Sequence, residues 1–251
     1  MNTRRLEICA GSVQSALAAQ AGGADRIELC QNLEQGGIKP SYGTIQRVLS
    51  QLSIPVFVLI RPRPGHFCYD AEEQAIMVAD IRQCQELGCA GVVLGALDRA
   101  GRPDLTCCRT LMAAAQGMQV TFHRAFDACA DQFRALEDVI GLGCQRVLTS
   151  GGQRTALAGQ KQLAALVQQA GGRICVMPGA GITPAIIPEV AQQTGAHEFH
   201  ASAKRLVVPG PSAQASVFDT PVWETDAAIV AELTKQLGSC QPGRVLNRGP
   251  G

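Results

Sequence analysis

One unit recurs along the chain: a helical stretch, a glycine, then a short apolar strand. It is plainest in AGGADRIELC, LGCAGVVLGAL, LGCQRVLTSGG and TGAHEFHASA, with AQGMQVTFHRA and QAGGRICVMPGA as variants. A glycine behind a helix supplies the left-handed C-cap, and the β-rich run after it starts a strand. Candidate strands begin near Leu6, Arg26, Pro55, Gly91, Gln119, Arg146, Ile174 and His197, at spacings of 20, 29, 36, 28, 27, 28 and 23 residues. Helix-compatible segments such as Ala71–Leu87, Thr155–Ala170 and Asp226–Leu237 accompany them. Strands alternating with helices pair in parallel, and eight of them close into a (β/α)8 barrel. The chain therefore reads as α/β, a single-domain (β/α)8 TIM barrel over residues 1–238, with 239–251 as a flexible tail. A doubly wound open sheet is the alternative, and similar unit lengths favour closure. Lys204–Pro221, after the eighth strand, reads as one long irregular segment.

Composition narrows the function class. The net charge is +1 with acids and bases nearly balanced, so nothing points to nucleic acid. The longest wholly apolar run, Ile54–Ile60, is far short of the ~20 residues of a membrane span. The N-terminal MNTRRLEICAGSVQSALAAQA carries a twin arginine, but Glu7, Gln14 and Gln20 break any signal core, so it reads as strand and helix. The expected location is cytoplasmic. The 11 cysteines include no CxxC and fit that compartment, mostly as buried small hydrophobes.

Side-chain parity then sorts the polar residues. Neighbours along a strand face alternately the helices and the barrel axis. With Leu6, Ile8, Ile27 and Leu29 toward the helices, Glu7, Cys9, Glu28 and Cys30 turn inward. The same count turns Arg61, Thr121, His123, Ser150, Glu198, His200 and Ser202 inward. Most lie toward strand C-termini, the end where barrels carry their sites. VTFHRAFD concentrates the signal: His123 faces a cavity, Arg124 opens the loop, and Asp127 is placed to hold either one. The blander alternative is an Arg124–Asp127 pair that merely ties down the loop.

RIELC, RPR with Phe67 and Tyr69 behind it, VTFHRAFD, RVLTSG, VMPGAGIT and EFHASA together resemble the CutC family of copper-homeostasis proteins. The blocks run in order from Leu6 to about Ser202. The resemblance implies a (β/α)8 barrel, a cytoplasmic location and a homo-oligomer, dimer or tetramer. It also implies Cu(I) ligands at Cys9 and Cys30; Cys68, in the third βα loop, is a candidate third ligand by its place in the chain. Two places depart from the family pattern: RPRPGHF stands for RPRGGDF, and SVFDT stands where an FRN-like triplet is usual.

Three functions are compatible with this reading. Cu(I) handling needs the thiols, since soft sulfur selects that ion. An enzyme acting on a small phosphorylated or carboxylate metabolite would draw on Glu7, Glu28, Arg61, His123 and His200 as catalytic candidates. Arg61, Arg124, Asp127, Ser150, Gly179, Gly181 and Ser202 would then bind the anion, because the loops after strands seven and eight are a frequent phosphate site. No inward strand position holds a lysine, which disfavours a Schiff base. No nucleotide cofactor is evident. A non-catalytic ligand-binding scaffold is the third reading.

Overall fold

A computed structural model describes residues 4–207 and 221–239. Eight parallel strands form the barrel: β1 (Arg5–Ala10), β2 (Arg26–Leu29), β3 (Val56–Leu59), β4 (Gly91–Leu94), β5 (Gln119–Phe122), β6 (Arg146–Thr149), β7 (Cys175–Pro178) and β8 (Glu198–Ala201). Hydrogen-bonded order runs β7-β6-β5-β4-β3-β2-β1-β8, which brings β8 round beside β1 and leaves β7 and β8 as the seam. Every predicted strand start lies within one residue of its observed one. Eight helices surround them: α1 (Val13–Ala21), α2 (Tyr42–Leu49), α3 (Ala71–Glu86), α4 (Leu105–Ala114), α5 (Gln132–Gly141), α6 (Gln160–Ala170), α7 (Ile187–Thr194) and α8 (Ala227–Ser239).

Local chemistry accounts for these elements. Ser12, Ser41, Asp70, Asp104 and Asp131 accept from backbone N–H groups at the starts of α1 to α5, and Asp70 with Glu73 completes a capping box. At the other end, Gly88 and Gly143 take φ of +80° and +84°, the left-handed turn that the recurring glycine predicts. One helix starts later than expected, at Gln160 rather than Thr155. A Cβ on Gly159 would stand 1.9 Å from the Ser150 carbonyl oxygen, so this backbone is pressed against the β6 loop and turns helical only beyond it.

The apolar parity packs outward. Leu6, Ile8, Ile27, Val58, Val92 and Val147 join the helices in one large core. A second, small cluster fills the barrel axis: Cys9, Cys30, Phe57, Leu59 and Val93. Gly91 makes room for Phe57, since a Cβ there would lie 2.6 Å from its ring. The segment Lys204–Pro221, expected to be irregular, instead begins with a strand that pairs with one just beyond the segment's end. Lys204–Val207 (β9) and Val222–Thr225 (β10) form an antiparallel ladder with Trp223 opposite Leu206. The 239–251 tail and SVFDT lie essentially outside the described residues; Ser239 ends α8. Among the described residues no helix is long and apolar enough to cross a membrane.

Candidate functional site

The strand C-termini open into a cavity of about 820 Å³. Of the predicted residues, Cys9, Glu28, Cys30, Arg61, His123, Arg124, Gly181, His200 and Ser202 line it. Five others stand elsewhere. Glu7 lies beneath the floor, 1% exposed. Cys68 gives its thiol to the Asp98 carbonyl at 3.4 Å and is not part of the cavity lining that holds Cys9 and Cys30. Gly179 sits at the β7–β8 seam, where a Cβ would meet Leu148 at 2.5 Å. Ser150 is fully buried, its hydroxyl shared among Asp127, Arg124 and the Gln153 carbonyl.

Asp127 is the fifth, and its partners lie in the turn and loop around it. It takes an ion pair from Arg124 at 2.7 Å, the Thr149 hydroxyl, and backbone N–H groups of Ser150 at 3.0 Å and Gly152 at 3.1 Å. It therefore clamps the β6 loop to the 3-10 turn Arg124–Ala128 and does not touch His123. The blander alternative for Arg124 and Asp127 describes these contacts.

His123 is held differently. Its Nδ1 accepts from the Ala125 N–H at 3.1 Å, which leaves the proton of the neutral ring on Nε2. Nε2 is buried with no hydrogen-bond partner. The ring packs against Phe67 at 5.0 Å and against Gly95, where a Cβ would lie 2.8 Å away. Burial and then the nearby Arg61 charge push its pKa down to about 3. Arg61, 5% exposed, donates to the carbonyls of Gln35 at 3.1 Å, Gly37 at 2.9 Å and Gly65 at 2.8 Å. It thus ties the second and third βα loops together, with its guanidinium 5.0 Å from the centre of the Phe67 ring.

The floor groups touch one another. The Cys9 and Cys30 sulfurs are 3.3 Å apart. The His200 ring binds Glu7 through Nδ1 at 2.8 Å and stands 3.4 Å from Glu28. Ligand atoms of Cys9, Glu28 and His200 all lie within 4.8 Å of one another, a trio with metal-binding geometry. Below lies a polar layer that the parity argument did not assemble. Arg26 pairs with Glu7 and, at 2.8 Å, with Glu198, which takes Arg146 at 2.7 Å; both guanidiniums stack on Phe57. Arg26 and Arg146 share parity with Glu28 and Ser150, so the signal was present in the strands. They begin their strands, away from the C-terminal end that draws functional readings.

The CutC family profile matches residues 4–205. The chain belongs to the CutC family. It is 58% identical over 202 residues to a family protein CutC of Xylella fastidiosa (strain Temecula1), spanning 80% of this chain and 76% of that one. Identity to a family protein CutC of Xanthomonas axonopodis pv. citri is 53% over 235 residues, covering 92% and 98% of the two chains. A crystal structure of CutC from Streptococcus agalactiae superposes with a TM-score of 0.76 at 34% identity, covering 80% of this chain and 99% of that one.

In this CutC family member the floor residues divide into distinct electrostatic states. Burial raises the Glu7 carboxyl, but the Arg26 charge and the His200 hydrogen bond outweigh it and bring the pKa down to about 2. Glu7 is thus a fixed anion and no proton carrier. Glu28 lacks such a guanidinium contact, and burial pushes it up to about 7 against the pull of His200. Burial opposes charge on His200, yet Cys9, Glu7 and Glu28 together raise it well above the usual imidazole value. The Cys9 thiol is pushed well up by its Cys30 hydrogen bond and by burial.

Proposed function

We propose that this chain handles copper, taking Cu(I) as cargo at the cavity floor through Cys9 and Cys30. The observation that carries the reading is the contact of the two sulfurs, 3.3 Å apart, on adjacent strand ends that line an open cavity. Soft thiolates select Cu(I) over the hard divalent ions that Glu28 would favour. The S. agalactiae relative is described as a candidate copper homeostasis protein, which is consistent with that chemistry. The Cys9 pKa lies well above its ordinary thiol value, so that thiol is protonated without metal and uptake of the ion releases its proton. His200, within hydrogen-bonding reach of Cys9, favours the thiolate as that proton leaves. The proposal places the chain in the cytoplasm, where thiols stay reduced, as a homo-oligomer.

The test is an anaerobic Cu(I) titration against a competing chelator, with wild type and Cys9→Ala/Cys30→Ala side by side. Wild type should take one equivalent and acidify a weakly buffered solution, and the double variant should do neither. Equal uptake by both, or no uptake by wild type against the chelator, would remove the copper reading.

A further inference from the structure

The wall of the cavity formed by Arg61, His123 and Phe67 is not explained by copper. Arg61 is a buried guanidinium whose resolved acceptors are three neutral carbonyls, and among the described residues no carboxylate forms an ion pair with it. Three arginines around the barrel are matched, Arg26 by Glu7 and Glu198, Arg146 by Glu198, and Arg124 by Asp127, while Lys204 at the cavity lies over the Trp223 ring. Beside this uncompensated charge, His123 lines the same cavity with a buried, unpartnered Nε2. The Ala125 N–H on Nδ1 makes that nitrogen a donor. Both groups pack on Phe67 at 5.0 Å, so one apolar ring, itself part of the cavity lining, keeps the charge and the N–H close together.

Buried polar groups are normally paired, and a buried charge is normally matched by an opposite one. We propose that this wall binds the carboxylate of a small organic acid, one oxygen accepting from His123 Nε2–H and the anion balancing Arg61. Within this wall the charges favour a carboxylate over a phosphate. The wall offers one unmatched positive charge and a neutral donor, which suits a monoanion and leaves a phosphate dianion uncompensated. Leu33, Leu59 and Leu148 also line the cavity, so the body of the acid lies against apolar surface. No step of bond making is required.

The experiment uses full-length, reduced, copper-free protein labelled with 15N-histidine, following the His123 Nε2–H resonance. Sodium acetate, sodium pyruvate and sodium phosphate are titrated at constant ionic strength against sodium chloride. Acetate or pyruvate should move that resonance downfield saturably, with at least tenfold weaker binding in Arg61→Gln and an intermediate loss in Arg61→Lys. Chloride should leave it in place. If Arg61→Gln does not fold, His123→Asn gives the second arm, where tryptophan fluorescence or calorimetry should show the same carboxylate binding at least tenfold weakened. Saturable binding of phosphate but not of the carboxylates would overturn the assignment. So would a non-saturable response, or carboxylate binding unaltered in the Arg61 and His123 variants.

Discussion

The neutral state of His123 can be tested through stability alone. The ring is 5% exposed, with Nδ1 committed to the Ala125 N–H and Arg61 nearby, and its folded pKa is pushed down to about 3. An unfolded histidine titrates near 6.5. Below that pH the unfolded chain gains a proton that the folded ring refuses, so stability falls as pH drops from 6.5 toward 3. Between pH 7.5 and 4.5 the loss from this one group is about 3 kcal/mol. With a urea slope of about 3 kcal/mol/M for a domain of this size, the midpoint should fall by about 1 M more in wild type than in His123→Gln. The glutamine keeps an acceptor for the Ala125 N–H and has no proton to gain. Glu7 and Glu28 titrate in both proteins and cancel in the comparison. Urea melts of the two proteins at both pH values measure the difference. Parallel falls would mean that the folded ring takes up the proton, and the fixed N–H donor on the cavity wall would go with it.

Other outcomes follow from neighbouring contacts. Arg26→Met leaves Glu7 and Glu198 facing each other in the barrel without their shared cation, and should cost about 3–5 kcal/mol in a urea melt. Glu28 carries the opposite pH sign to His123. Its folded pKa is raised to about 7, so stability present at pH 4.5 is lost as pH rises to 8, and Glu28→Gln should flatten that limb of the stability curve. Gly95→Ala drives a methyl against the His123 ring and should cost about 1–3 kcal/mol while shifting the His123 ring resonances. Asp127→Ala should destabilise by about 2–3 kcal/mol, because it strands two backbone donors and Arg124, and should leave Cu(I) uptake by Cys9 and Cys30 unchanged.

The barrel was legible because its signals are local. A glycine in the left-handed region ends a helix within a residue or two, and alternation along four-residue strands decides which side chains see the axis. Glu7, Cys9, Glu28, Cys30 and His200 follow from that alternation alone. What stayed hidden depends on distant partners. Asp127 reads as a ligand candidate until Thr149, Ser150 and Gly152, more than twenty positions on, take its oxygens. Arg61 reads as a free cation, yet Gln35, Gly37 and Gly65 occupy two of its nitrogens. Two carboxylates in matching strand positions look like an acid–base pair. The Arg26 ion pair and the His200 hydrogen bond, both made by Glu7 and neither by Glu28, separate a permanent anion from a group that titrates near neutrality.

Arg61 also decides how the cavity must be probed. Its three carbonyl partners come from the loops after β2 and β3, the same loops that carry Leu33, Gln35, Gly36 and Phe67 to the rim. Removing the guanidinium therefore loosens the rim and discharges the wall together, and a lost ligand could report either change. His123 separates the two. Its Nδ1 bond is local to its own turn, its Nε2 has no hydrogen-bond partner in the fold, and substitution leaves the second and third loops tied. A carboxylate lost with His123 while the Arg61 clamp remains would trace binding to the N–H donor itself. Retention in His123→Asn with loss in Arg61→Gln would assign Arg61 to shaping the rim and leave the orphaned imidazole without a ligand.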